Sequence, residues 1–205
     1  MNLKNYVMET IEEVAPIVEE KSGLECDLQN TRVKLTNNIL EPFIFSLEEL
    51  DPRDFLIWYY QLKGSFNNNK NKLNFPKKQI LKPGFKKIMG HELMHNAQHN
   101  SFPQLSKKKL DFNEYRAYKM LLEGDARLIE ENFPEEYEMN KVPKMAMKFI
   151  GEDHYKTFLR TNRDEIHDKG KRILKQKFNG NRAEINKLYT APVGELIRIF
   201  ELNDF

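Results

Sequence analysis

The chain opens with apolar residues at helical spacing. Tyr6, Ile11, Val14, Ile17 and Val18 recur against Glu9, Glu12, Glu13, Glu19 and Glu20, which predicts an amphipathic helix over 3–21. Gly23 should end it, because glycine takes the left-handed conformation that closes many helices at little cost. Thr31-Arg32-Val33-Lys34-Leu35-Thr36 has the period of two that marks a half-buried strand. Ser46 followed by Glu49 reads as a capping box. It opens a helix that carries Phe55, Leu56, Trp58 and Tyr59 to about Leu62, with Pro52 in its first turn, where a missing N–H costs little.

Gly64-Ser65-Phe66 and Lys72-Leu73-Asn74-Phe75 flank Asn67-Asn68-Asn69-Lys70, a run suited to a hairpin turn because asparagine tolerates positive φ. Residues 72–75 are expected at a sheet edge, ended by Pro76, where an extended peptide substrate could pair as an additional strand. Helical spacing returns from Pro83 to about Asn100 and from Leu110 to about Asn132, and Phe133-Pro134 stops the second stretch. The segment 134–205 reads as short helices broken at Pro143, Gly151, Gly170, Gly180 and Pro192. With no internal repeat and no linker, the whole of 1–205 is expected to be a single domain.

Composition narrows the class. Hydrophobic residues make up 40% and charged residues 31% of the 205, the balance of a globular chain. A formal charge of +2 gives no reason to expect a nucleic-acid partner, and Lys107-Lys108-Lys109 reads as a solvated loop. The sole cysteine, Cys26, has no internal disulfide partner. The N-terminus lacks an apolar signal core, and no stretch approaches the roughly 18 apolar residues of a membrane span. A cytoplasmic protein without membrane partners is expected, its oligomeric state open.

Chemistry enters at His91-Glu92-Leu93-Met94-His95, an HExxH motif. On a helix, positions i and i+4 share a face, so both imidazoles can reach one ion while Glu92 stands beside it to take a proton from metal-bound water. Zinc is the ion that this donor set and this chemistry suit. Gly90 precedes the motif, and Phe85, Ile88, Leu93, Met94 and Ala97 give the helix an apolar side. Gln98 and Ser101 stand where HExxHxxGxxH would require glycine and histidine, which excludes that class. His99 would extend the ligand row, but three histidines on one straight helix span about 12 Å at 1.5 Å per residue, too far for one ion. The better third ligand is Glu123 in Leu122-Glu123-Gly124-Asp125-Ala126-Arg127. There the small Gly124 and Ala126 should let a second helix come close to the first.

His91-Glu92-Leu93-Met94-His95-Asn96-Ala97-Gln98 followed by Leu122-Glu123-Gly124-Asp125-Ala126 resembles the gluzincin zinc peptidases, in particular members with HELxHxxQ and EGDA motifs. Gly64-Ser65-Phe66 resembles the opening of their active-site edge strand, and the resemblance is firm over 64–131. It implies an α+β zincin-like domain: a small mixed sheet, an active-site helix bearing HExxH, a glutamate-bearing second helix and a helical C-terminal part. It also implies a peptide or protein substrate, hydrolysed with Zn2+ held by His91, His95 and Glu123 and with Glu92 as general base. Tyr189 is the first candidate for the side chain that stabilises the oxyanion and His167 the second, with His154 and Tyr155 behind them. One departure stands out: where related enzymes carry an aspartate that orients a zinc histidine, this chain has Arg127. Glu130 or Asp125 is left to take that part. The alternative function is a catalytically silent or latent zinc-binding regulatory module on the same scaffold. The intact Glu92 argues against it, since a structural zinc site needs no general base.

Overall fold

The computed structural model describes residues 2–36, 51, 53–54, 57, 64–103, 110–134 and 142–202. The Ser46–Glu49 capping box, the side chains expected to fill the helix after it and Lys107 to Lys109 lie outside the described residues. Among the described residues the architecture is α+β and mainly helical, with one three-stranded mixed sheet.

Helix α1 (Leu3–Ser22) begins where the Asn2 side chain accepts the Lys4 N–H at 3.0 Å and ends at Gly23, φ 69°. Its apolar stripe, Val7, Ile11, Val14, Ala15 and Val18, is buried. Pro16 sits inside the helix on its exposed side, where water can satisfy the carbonyl that proline leaves unpaired. Strand β1 (Arg32–Thr36) follows, then β2 (Ser65–Asn67), a 3-10 turn (Asn68–Lys70) and β3 (Lys72–Pro76). The hairpin is present, and the asparagine with positive φ is Asn71, at 41°.

The strand order is β1-β3-β2, with β3 parallel to β1 and antiparallel to β2. The expectation that 72–75 forms an edge is therefore corrected. Leu73 and Phe75 are wholly buried, and every residue from Lys72 to Pro76 has a partner in β1. The edge beside the helices belongs to β2, a three-residue strand too short for the period-two pattern to reveal. Gly64 brings it close: a Cβ there would lie 3.0–3.1 Å from Phe75, Ile88 and Glu92.

A short α2 (Lys77–Ile80) leads to α3 (Phe85–Ser101), the HExxH helix, and then to α4 (Phe112–Glu130). Gly84, at φ 78°, caps the start of α3, while Asp111 and Glu114 close a reciprocal capping box on α4. A clamp of polar side chains fixes α3 to the sheet. Buried Asn96 accepts the Asp27 N–H at 2.9 Å and donates to Thr31 Oγ1 at 2.9 Å and Asn71 Oδ1 at 3.0 Å. Cys26 packs beneath the same helix, its thiol pushed up to about 12 by burial and by Glu19, which leaves it unreactive.

The C-terminal part comprises α5 (Lys144–Ile150), α6 (Glu152–Leu159), a π-helical segment (Arg160–Asp168), α7 (Lys169–Phe178), α8 (Arg182–Leu188) and α9 (Val193–Ile199). Pro143, Gly151, Gly180 and Pro192 do lie between helices or at their N-caps. Gly170 does not: it lies within α7, against Gly124 of α4. A Cβ on Gly124 would sit 2.6 Å from the Gly170 carbonyl carbon, so the two glycines let α4 and α7 touch backbone to backbone. Gly124 thus serves the contact with α7, whereas the sequence suggested the contact with α3. The main core runs from Val7 to Leu202, and a smaller cluster gathers Ile57, Ile150 and Phe158. Among the described residues no helix is long and apolar enough to cross a membrane.

Gly124→Ala and Gly170→Ala should each cost about 1–3 kcal/mol in urea unfolding, because the backbones must separate to admit a methyl group. Gly194→Ala, in open space on α9, should be neutral or raise stability by up to about 1 kcal/mol. Equal midpoints for all three variants would contradict the α4–α7 contact. Asn74→Pro should abolish the folded circular dichroism spectrum, since proline removes a ladder hydrogen bond from a central strand. A native melting temperature would place β3 at an edge after all.

Candidate metal centre

Two helices bring the candidate ligands together. One helical turn separates His91 from His95 on α3, and Glu123 reaches them from α4. His95 Nε2 lies 3.1 Å from His91 Nε2 and 3.2 Å from Glu123 Oε2, and His91 Nε2 lies 3.3 Å from the same oxygen. A tetrahedral zinc ion with bonds of 2.0–2.1 Å needs ligand atoms about 3.3 Å apart. The three donors fit that requirement in both type and spacing. His99 stays outside the group; its ring packs against Phe66, centroids 5.8 Å apart.

Each imidazole is also held at its other ring nitrogen, as metal-binding histidines normally are. His91 Nδ1 is 2.7 Å from Glu130 Oε1, and Arg127 Nη1 holds Glu130 Oε2 at 2.9 Å. Of the two carboxylates left open by the sequence, Glu130 is therefore the partner of His91. Arg127 is the guanidinium that fastens it. His95 Nδ1 is 2.8 Å from Gln98 Oε1, a contact that sequence reasoning missed. Its spacing was a usable signal, since a residue at i+3 on a helix shares a face with its partner.

Asp125 faces away from the cluster. Its carboxylate, wholly buried, forms a double hydrogen bond with Arg182 of α8 and accepts the Tyr189 hydroxyl. Tyr189, the first candidate for the oxyanion, lies in this buried chain and not beside the three ligand atoms. Its hydroxyl donates to Asp125 Oδ2 at 2.5 Å and accepts from Gln98 Nε2 at 2.9 Å, in a buried chain behind His95. Burial first, and then Asp125, hold the phenol well above its usual value of 10, so it stays protonated and committed. His154 is paired with Asp54 at 2.6 Å, and Tyr155 packs on the smaller core. Neither belongs to the ligand cluster. His167 does adjoin it: from the π-helical segment its ring stacks on His91 at 6.1 Å, and Nδ1 lies 3.6 Å from Glu123 Oε2. That nitrogen is buried and makes no hydrogen bond among the described residues. Burial pushes this imidazole down to about 4 despite Glu123.

Glu92 is buried on α3 beneath Gly64 and the start of β2. Burial raises its pKa, and His91 and His95 pull in the opposite direction. Lys119, partly exposed, holds the outer oxygen of Glu123 at 3.2 Å. Burial would raise the Glu123 pKa, yet His95 and Lys119 keep it well below the carboxylate norm. The cluster therefore offers a carboxylate and two imidazoles, flanked by the buried carboxyl group of Glu92.

No family model, curated protein or solved structure matches the chain.

In the metal-free chain, burial alone would depress the His91 pKa, but hydrogen bonds to Glu123 and Glu130 lift it to about 10. The folded value lies above the ordinary 6.5, so this pairing stabilises the metal-free fold fully below pH 6.5 and is lost as pH rises toward 10. A metal must displace the proton from His91. Zinc uptake at pH 8 should release about one proton from this site, measured by titration calorimetry in buffers of different ionisation enthalpy. Release of none would mean that His91 is already neutral.

Proposed function

We propose that this protein is a zinc-dependent peptidase built on a zincin-like domain. The observation that carries the reading is the convergence of His91, His95 and Glu123 at tetrahedral spacing beside the buried carboxylate of Glu92. A zinc ion held there supplies Lewis acidity, polarising a peptide carbonyl and acidifying water near neutral pH. Glu92 takes the proton from the attacking water and passes it to the leaving amine. Its burial suits the first of these steps, because a carboxylate with a raised pKa takes up the proton of the attacking water more readily.

His167 is the better of the two candidates for the oxyanion. Its uncommitted Nδ1 adjoins the cluster, whereas the Tyr189 hydroxyl is spent on Asp125 and Gln98. π-helical segments such as the one carrying His167 are often found at functional sites. Substrate pairing moves from β3 to β2. Gly64, which leads into β2, lies so close to Glu92 that a Cβ there would meet its side chain at 3.1 Å. A peptide laid along β2 would therefore run beside the general base, held by main-chain hydrogen bonds.

Separating ligands from base tests the reading. His91→Ala, His95→Ala and Glu123→Ala should lose zinc, with His99→Ala nearly unchanged. Glu92→Gln should keep zinc while hydrolysis of a mixed peptide library falls by about 10²–10⁴-fold. Full zinc occupancy in Glu123→Ala would remove the gluzincin assignment. A wild type no faster than Glu92→Gln on every peptide would favour the silent zinc-binding module.

A further inference from the structure

We propose that Gln98 is a positioning residue that selects the metal-binding tautomer of His95, with Tyr189 and Asp125 fixing which way its amide faces. The inference rests on His91, His95 and Glu123 forming a zinc site. It starts from a difference between the two histidines. His91 meets Glu130, whose carboxylate oxygens can only accept, so its Nδ1 must carry the hydrogen and Nε2 is left for a metal. His95 meets an amide, which has an accepting end and a donating end. Turned the wrong way, Gln98 would present an N–H to His95 Nδ1. That would force the hydrogen onto Nε2, the atom that faces Glu123 and His91.

The buried chain behind Gln98 decides the orientation. Asp125, ion-paired with Arg182, can only accept, so the Tyr189 O–H must donate to it. The tyrosine oxygen then has only lone pairs to offer Gln98, which must answer with Nε2, at 2.9 Å. The Leu122 carbonyl, 3.1 Å from the same nitrogen, takes its second N–H. Both amide hydrogens are thereby committed, and Oε1 alone remains for His95 Nδ1. Each polarity follows from its neighbour, starting from a carboxylate fixed by a guanidinium. Through Arg182 and Tyr189, the α8 region reaches the centre without touching it. This also gives Tyr189 and Asp125 a use that the hydrolytic step leaves open.

The test is zinc affinity, measured by competition with a chromophoric chelator on the full chain, with circular dichroism melts of each metal-free variant. Gln98→Met, close in volume and lacking the acceptor, should weaken zinc by about 10–100-fold while remaining folded. Asp125→Asn should weaken it as well. An asparagine amide can donate to the tyrosine oxygen, which frees the O–H to donate to Gln98 Oε1 and leaves the Leu122 carbonyl to oppose the turn, so a fraction of the glutamine is reversed. Tyr189→Phe removes that route, so adding it to Asp125→Asn should recover part of the lost affinity. A merely structural role would make the two losses add. Should Asp125→Asn fail to fold with Arg182 unpaired, Gln98→Met and Tyr189→Phe alone decide, the first expected to lose more zinc than the second. A folded Gln98→Met within about twofold of wild-type affinity overturns the inference, and additive losses in the cycle overturn the part given to Asp125 and Tyr189. A wild type that takes up no zinc overturns the metal site and this inference together. A zinc-binding wild type that cleaves no peptide removes only the peptidase reading.

Discussion

The structure depends on holding three ligand atoms, from two separate helices, within 3.1–3.3 Å of one another. Such proximity is costly without help, because two imidazoles and a carboxylate must leave water together. The chain meets the cost with charge and hydrogen bonds placed just outside the cluster. Lys119 supports Glu123, Arg127 supports Glu130, and Gln98 supports His95. Across the gap between α3 and α4 run His91 to Glu130, His95 to Glu123 and Gln98 to the Leu122 carbonyl, and their reach matches the spacing of the two helices.

That spacing in turn constrains the packing around both helices. Gly90 leaves room for the Phe133 ring against α3, and the Gly124–Gly170 contact seats α7 directly on α4. The same α4 carries Glu123 toward the cluster and Asp125 toward Arg182, so one helix serves the centre on one face and the C-terminal helices on the other. The C-terminal part is therefore tied into the site by two routes: His167 beside His91, and Tyr189 behind Gln98.

The sheet plays the smaller but necessary part. Its central strand is buried, and Asn96, Thr31, Asn71 and Asp27 lock α3 beneath it. Its short edge strand lies over Glu92 because Gly64 permits the approach. A carboxylate that is buried beneath a short strand and next to two imidazoles is the arrangement on which the proposed hydrolysis rests.

The sequence by itself determined the elements and the local chemistry. The limits of α1, α3 and α4 to within about two residues, the strand within 31–36, the hairpin around the asparagines and the pairing of His91 with His95 all follow from spacing along one segment. Local periodicity and caps encode such features without reference to the rest of the chain. Glu123 was legible too, since its small neighbours marked a helix able to pack closely, although Gly124 proved to face α7. The tertiary structure decided everything that depends on which segment meets which. It put β3 at the centre and β2 at the edge, because strand order is set by the packing of distant segments and leaves no mark in period two. It gave His91 to Glu130, and it placed the Tyr189 hydroxyl in a buried link between Asp125 and Gln98. A hydroxyl has no fixed role in a sequence; its role is set by the acceptor that folding brings within reach, and here that acceptor lies 64 residues away in the chain.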